Sequence, residues 1–146
     1  MKIFGLQCGL TSMLFLIGAS ILILFGCKKE NTNPVTITFD YSGQKAPGNF
    51  TGIFIATGGI HTSGTSLMTV QSVGDEFNCI YTLTSKDGGT IIMFSNCQMA
   101  TNTGTWRILS GTGAYTNIRG NGTLIMTYPG AGVAVKEVFE GTIVKR

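Results

Sequence analysis

The chain has 146 residues, of which 43% are hydrophobic and 12% are charged, and its net charge is +3. This length indicates one domain. The basic residues are scattered and form no stripe among aromatic side chains, which argues against nucleic-acid binding. The single histidine and the four widely spaced cysteines offer no ligand pattern for a metal site. We therefore expect neither a metal nor a cofactor.

The N-terminal segment has the layout of a secretory signal. Lys2 precedes an apolar stretch that is densest over residues 13–25, and polar residues begin abruptly after Cys27. The Leu-Phe-Gly-Cys sequence ending at Cys27 resembles a bacterial lipobox, although its phenylalanine is bulkier than the usual residue. We expect residues 1–26 to be a lipoprotein signal peptide and Cys27 to carry acyl chains such as palmitate. The alternative is an uncleaved transmembrane anchor, because the apolar run is long enough to cross a bilayer.

Residues 27–34 are predicted to be a lipidated tether, because they are polar and carry no periodicity. The Lys-Lys-Glu that follows Cys27 resembles the export signal of Bacteroidetes lipoproteins, with fewer acidic residues than that signal usually has. It predicts attachment to the outer membrane through the lipid, with the domain exposed at the cell surface.

Residues 35–146 are predicted to form an all-β domain. Glycine, threonine and serine interrupt every apolar run, and the apolar spacing is two rather than 3.6. Short strands separated by Gly-rich and Asn-rich turns are typical of a sandwich or barrel. The predicted strands cover residues 35–41, 50–57, 67–72, 77–84, 90–96, 105–109, 115–128 and 133–144.

A motif near the C-terminal third carries a family resemblance. Gly111-Thr112-Gly113 is followed by Tyr115 and then by Arg119-Gly120. This pattern resembles the allene oxide cyclase barrel-like and dirigent-like group, and a last strand with Glu-Gly-Thr-Ile at residues 140–143 fits it as well. The resemblance implies an eight-stranded antiparallel β-barrel. The catalytic residues of the plant enzymes in the group find no match in this chain, so the catalytic residues stay unassigned.

The cysteines of the mature domain are predicted to form a disulfide. The strands at 77–84 and 90–96 flank a hairpin turn at residues 85–89. A turn centred near Gly88 places Cys79 opposite Cys97, where the two Cβ atoms approach to about 4.5–5.5 Å. The alternative is a pair of buried free thiols.

Four residues are candidates for lining a barrel cavity. Arg119 lies in a strand flanked by glycines, and we expect it to point inward and to pair with Glu140 or Glu137, since a buried arginine needs an anionic partner. Trp106 and Tyr115 are expected to line the same interior. The alternative is that Arg119 faces water or braces the corner of the barrel. The lone His61 sits at a turn, without the nucleophile and acid that a catalytic role needs.

The favoured function is a non-enzymatic module that binds a small apolar or amphipathic ligand or serves in an interaction. An isomerase or cyclase acting on an apolar substrate is the alternative, because such enzymes need few ionisable groups. The third candidate function is that of a structural protein whose barrel is filled by its own side chains. The oligomeric state is left open.

Overall fold

Eight antiparallel strands form one closed barrel in the computed structural model, which describes residues 31–127 and 136–145. Each strand pairs with the strands before and after it in the chain, and the first strand closes the barrel against the last. The strands are β1 (Asn33–Ala46), β2 (Asn49–Gly58), β3 (Thr62–Val73), β4 (Glu76–Ser85), β5 (Thr90–Gln98), β6 (Thr103–Gly111), β7 (Arg119–Thr127) and β8 (Lys136–Val144). The predicted all-β barrel is therefore confirmed.

Period-two alternation separates the inside of the barrel from its surface. In β1, Val35, Ile37, Phe39 and Tyr41 are buried, whereas Thr38 between them is exposed. Successive side chains of a strand point to opposite faces, so one face of each strand fills the interior. The inward residues of all eight strands form one continuous hydrophobic core.

The third strand begins at Thr62, five residues before the predicted start at residue 67. The first half of β3 is polar and contains Gly64, so the sequence shows no alternation of apolar residues there. Gly64 lies so close to the Thr84 carbonyl and the Phe54 ring that an added Cβ would overlap both. Gly64 thus lies in the strand at a point where β2 and β4 approach closely. A pattern of apolar residues does not indicate such a position.

The predicted strand over residues 115–128 is wrong in its first part. Residues Gly113–Tyr115 form a 3₁₀ turn, and β7 begins only at Arg119. The Gly-Thr-Gly motif therefore ends β6 and starts the crossover to β7. The first three residues of the predicted strand 133–144 lie outside the described residues.

The two ends of the barrel differ in their connections. One end, called the tether end here, holds the start of β1 and the loops at residues 59–61, 86–89 and 112–118. The other, called the far end, holds the turns that follow β1, β3 and β5 and the beginning of β8. Cys27 and the apolar stretch before it lie outside the described residues. No helix within 31–127 and 136–145 is long and apolar enough to cross a membrane.

Candidate functional site

The expectation that Arg119 and Glu140 line the interior is wrong, because both side chains are exposed. In β7 the inward phase contains Gly120, Gly122, Leu124 and Met126, so Arg119 points outward. In β8 the inward phase contains Glu137, and Glu140 lies in the opposite phase. The acid inside the barrel is thus Glu137.

Trp106 and Tyr115 are both buried, but they occupy different places. Trp106 lies inward on β6, where its indole Nε1 donates a 3.2 Å hydrogen bond to the Glu140 carbonyl and its ring centroid lies 6.0 Å from that of Phe139. Tyr115 lies in the 3₁₀ turn at the tether end, and its hydroxyl is 2.9 Å from the Ser85 hydroxyl. The two side chains therefore do not share one pocket.

Tyr115 closes the tether end through a polar network. Thr62 is hydrogen-bonded to the Ser85 hydroxyl at 2.7 Å and donates to a carboxylate oxygen of Asp87, also at 2.7 Å. Gly89 has φ +107°, and a Cβ there would overlap the Thr112 carbonyl. The crossover that carries the Gly-Thr-Gly motif is thereby fixed against the β4–β5 hairpin. The His61 side chain is exposed in the neighbouring loop.

The predicted disulfide is wrong, because Cys79 and Cys97 are free buried thiols. In the β4–β5 ladder Cys79 lies opposite Ser95, and Cys97 lies opposite Phe77. The last pair before the turn is Thr84 with Thr90, which centres the turn on Asp87 rather than on Gly88. The two cysteines are therefore offset by two residues along the same inner face. Burial raises the pKa of Cys79 to about 11, so that its thiol stays neutral.

Arg119 borders a cleft of about 750 Å³ beside the ends of β6 and β7. The β6–β7 ladder ends at the pair Arg107–Asn121, so the last residues of β6 have no β7 partner. The polar residues Ser110, Asn117 and Asn121 line the cleft together with the apolar residues Ile108 and Val144. Arg119 therefore lines a cleft at the tether end, where β6 and β7 separate, and not the part of the interior that holds Glu137.

A group of polar side chains lies inside the half of the barrel nearer the far end. We call it the Glu137 cluster, and its members are Tyr41, Ser66, Tyr81, Ser95 and Glu137. Ser95 donates a 3.2 Å hydrogen bond to the Tyr81 hydroxyl, which donates at 3.3 Å to Oε1 of Glu137. A chain of hydroxyls thus leads from β5 through β4 to the carboxyl on β8.

Three oxygens of this cluster are buried without a hydrogen-bond partner among the described residues. They are the Tyr41 hydroxyl, Ser66 Oγ and Oε2 of Glu137. The Tyr41 hydroxyl lies within hydrogen-bonding reach of both Ser66 and Glu137, near enough to act on the pKa of the Glu137 carboxyl, although neither contact has good hydrogen-bond geometry. Buried polar atoms almost always have partners, so these three oxygens mark a polar region inside the barrel whose hydrogen bonds are poorly satisfied.

Burial dominates the electrostatics of the cluster. Removal from water raises the pKa of Glu137 from 4.5 to about 7, although the hydroxyls of Tyr81 and Tyr41 act in the opposite direction. Burial, together with the charge on Glu137, raises the pKa values of Tyr41 and Tyr81 far above the ordinary value of 10.0. Glu137 is therefore the group of the cluster that changes charge near neutral pH.

Aromatic rings form one wall of the cluster. The Phe39 ring centroid lies 4.8 Å from that of Phe139 and 5.3 Å from that of Tyr81, and Phe39 stacks on Tyr41 at 6.0 Å. Phe39 lies directly opposite Glu137 in the β1–β8 ladder. The carboxyl thus borders a packed aromatic centre on the side of the tether end.

Sequence reasoning named Glu137 only as a second partner for Arg119, and it missed Tyr41, Ser66, Tyr81 and Ser95. A signal for Glu137 was present, because it shares the inward phase of Phe139 and Ile143. The cluster itself joins residues from five strands, β1, β3, β4, β5 and β8, so only the closed barrel brings them together.

Comparison with known proteins identifies the architecture. A solved structure of a dirigent protein, the pterocarpan synthase GePTS1, superposes with a TM-score of 0.51 over 90% of this chain and 99% of that one. The barrel has a dirigent-like fold. The two sequences are 16% identical, so the likeness concerns the fold alone. No protein-family model matches the chain, and a search of curated proteins finds no match.

Proposed function

We propose that this dirigent-like barrel binds a small ligand at the Glu137 cluster and is attached to the bacterial envelope by a lipid on Cys27. The observation that supports the binding function is a buried polar region within an apolar barrel, where oxygens of Tyr41, Ser66 and Glu137 lack hydrogen bonds of good geometry. A binding site typically combines apolar walls with a few convergent polar groups. The aromatic rings around Phe39 supply the apolar wall, and the oxygens of Tyr41, Ser66 and Glu137 supply the polar groups.

A bound small molecule is expected in protein purified from its own host. Native mass spectrometry should show an adduct that is lost when the protein unfolds, and Glu137→Gln should reduce its occupancy because one of its polar contacts changes. Glu140→Gln is the matched control, since Glu140 is exposed on the same strand. A wild-type protein that carries no adduct and yields no extractable molecule contradicts the proposal.

An isomerase or cyclase is the second candidate, favoured by one observation. A carboxyl with a pKa of about 7 can both accept and donate a proton near neutral pH, as a general acid–base catalyst must. Tyr81 already donates a hydrogen bond to that carboxyl. The fate of the ligand separates the two functions, because a binding module returns it unchanged and an enzyme converts it.

The anchor predicts a clear effect of Cys27→Ser. This change removes the thiol that receives the acyl chains, so incorporation of labelled palmitate and the acyl mass of the N-terminal peptide should disappear. Cys8→Ser is the matched control, because Cys8 lies within the predicted signal peptide and should leave lipidation intact. A protein that stays in the membrane without any acyl mass would instead have a plain transmembrane anchor.

We also propose that the anchored domain lies at the outer membrane, facing outward. The support is the Lys-Lys-Glu sequence after Cys27. The tether joins β1 at Asn33, so the tether end would face the lipid and the far end, where Glu137 lies, would face away from it.

A further inference from the structure

The charged side chains of the barrel are divided unevenly between its two ends. Within residues 31–127 and 136–145, the tether end carries three bases and one acid, which are Lys86, Arg119, Lys145 and Asp87. The far end carries two bases and four acids, which are Lys45, Lys136, Asp40, Asp75, Glu76 and Glu137. The tether end is therefore basic and the far end acidic.

The three cations of the tether end lie around Tyr115. The Lys145 ammonium is 5.9 Å from the centre of the Tyr115 ring. The Tyr115 hydroxyl is 2.9 Å from the hydroxyl of Ser85, the residue that directly precedes Lys86. Arg119 pairs in the β7–β8 ladder with the residue before Lys145. These contacts hold the backbone of all three cations on one rim, which we call the basic rim.

Asp87 leaves the basic rim largely uncompensated. Its carboxylate accepts a 2.7 Å hydrogen bond from Thr62, and its backbone N–H donates at 3.0 Å to the Ser85 hydroxyl, so it is held within the hairpin turn. Lys86, Arg119 and Lys145 are exposed, and none of them forms an ion pair with another described residue. Their charges are therefore available to an anion from outside the chain.

Arg119 also lines the cleft where β6 and β7 separate. Among the described residues that line this cleft, Arg119 is the one charged residue. Ser110, Asn117 and Asn121 lie beside it, and each has a side chain that can donate a hydrogen bond. A guanidinium presents a rigid fork of donors that matches the oxygens of a phosphate. The cleft thus suits a phosphate group.

The N-terminal segment brings a membrane close to this cleft. Thr32 lines the cleft, and β1 begins at the next residue, Asn33. The five residues from Cys27 to Thr32 span at most about 18 Å when fully extended. A membrane attached at Cys27, through acyl chains or through the apolar stretch before it, therefore lies within reach of the basic rim.

We infer that the basic rim docks on an anionic membrane surface, with a lipid phosphate at Arg119 in the cleft and with Lys86 and Lys145 against neighbouring head groups. The inference rests on the proposed membrane attachment and goes beyond ligand binding at the Glu137 cluster. Lysine and arginine residues near an anionic bilayer each add to the attraction. The acidic far end is repelled by the same surface, so the charge distribution fixes how the barrel is oriented.

Acylation of the native lysines tests the docking. The purified chain is reconstituted into vesicles of phosphatidylcholine alone or of equal parts phosphatidylcholine and phosphatidylglycerol, and its reaction with sulfo-N-hydroxysuccinimide acetate is followed by peptide mass spectrometry. Lys86 and Lys145 should react at least about fivefold more slowly on the anionic vesicles, the factor that one cation gains at such a surface. Lys45 and Lys136 at the far end should react equally on both.

The protection should depend on salt and on Arg119. Salt at about 1 M, where the Debye length falls to about 3 Å, should remove it. Arg119→Gln should reduce the protection of Lys86 and Lys145 by about fivefold, because the contact with the lipid phosphate is lost. Arg107→Gln is the matched control, since Arg107 is also an exposed arginine on a strand but lies halfway along β6.

Equal reactivity of the four lysines on both kinds of vesicle overturns the inference, as does protection of Lys45 and Lys136 instead. Protection that survives Arg119→Gln overturns it too, because no phosphate then lies at the cleft. Protection by inorganic phosphate on neutral vesicles indicates a site for a free anion and also overturns it.

Failure of the proposed membrane attachment is recognised separately. A chain that does not float with phosphatidylcholine vesicles lacks the anchor. The anionic vesicles then test the docking alone, because flotation that depends on Arg119 supports the inference and the absence of flotation overturns it.

Discussion

At pH 8, replacing Glu137 by glutamine is expected to raise the free energy of unfolding of the barrel by about 3 kcal/mol, since each unit of pKa shift corresponds to about 1.4 kcal/mol. At pH 5 the same substitution should have little effect. The reason is that the folded protein holds an ionised carboxylate at pH 8 in a place where its neutral form is favoured. Glutamine has nearly the same shape and no charge at either pH.

Whether stability rises or falls with pH follows from the pKa of Glu137 in the folded and unfolded states. The pKa of Glu137 is 4.5 when exposed and about 7 in the folded barrel, because burial disfavours the charge. Between these values the folded state binds more protons than the unfolded state, so stability falls as the pH rises. The full contribution of the protonated carboxyl is present below pH 4.5 and is lost as the pH passes through 7.

Glutamine also suits the hydrogen bonds of the site. Its carbonyl oxygen can accept from Tyr81 as Oε1 does now, and its amide group can donate to the unpartnered oxygens of Tyr41 and Ser66. The substitution therefore removes a charge and leaves no new polar atom without a partner. Aspartate would be a poorer choice, since it keeps the charge and shortens the side chain.

Urea unfolding of wild type, Glu137→Gln and Glu140→Gln at pH 5 and pH 8 measures the effect. Wild type and Glu140→Gln should both lose stability between the two pH values, and Glu137→Gln should lose much less. Measurements stop at pH 8 because the unfolded cysteines begin to ionise near their ordinary value of 9.0. A Glu137→Gln protein that is less stable than wild type at pH 8 would show that Glu137 has a counter-charge in the folded state.

Alternation in the sequence predicted most of the fold because each strand has one apolar face. Val35, Ile37, Phe39 and Tyr41 alternate with polar residues, and all four fill the core. Alternation cannot predict a strand whose inward side chains are small or polar. β3 is the example, since Thr62, Gly64 and Ser66 point inward and look like a loop in the sequence.

The wrong predictions for the site residues come from the inward or outward phase of the strands and from the register of the β4–β5 hairpin. Arg119 and Glu140 differ by one residue from the inward positions of their strands, and a shift of one residue reverses the face of a side chain. The cysteine pair differs by two residues, which keeps both sulfurs inside but separates the partners. The turn at residues 85–89 sets that register, and its centre cannot be located to one residue from the Lys-Asp-Gly-Gly sequence.

The Gly-Thr-Gly motif explains why the resemblance indicated the fold correctly while pointing to the wrong residues for a site. Gly111, Thr112 and Gly113 shape a tight crossover that places Tyr115 under the tether end. The motif is thus a structural closure of the barrel, and the candidate ligand site lies at the opposite end. Tyr81 and Glu137 contribute to that site from strands that carry no recognisable motif.

The aromatic centre is expected to account for a large part of the stability of the domain. Phe39 is almost fully buried, and its ring lies within 6.4 Å of the rings of Tyr41, Phe54, Tyr81 and Phe139. Truncation of such a residue loses both its transfer free energy and its packing contacts. Phe39→Ala should therefore reduce the free energy of unfolding by about 3–5 kcal/mol, the usual range for a buried phenylalanine.

Phe94→Ala is the matched control, because Phe94 lies half-buried on the outer face of β5 with the Arg107 guanidinium 5.4 Å from its ring. Phe94→Ala should reduce the free energy of unfolding by only about 1 kcal/mol, because it removes a half-buried ring and an exposed cation–π contact. Thermal and urea unfolding of both variants at pH 6 avoids the ionised form of Glu137, which lies opposite Phe39. If Phe39→Ala costs no more than Phe94→Ala, the rings do not form a packed centre, and the wall assigned to the ligand site is lost with it.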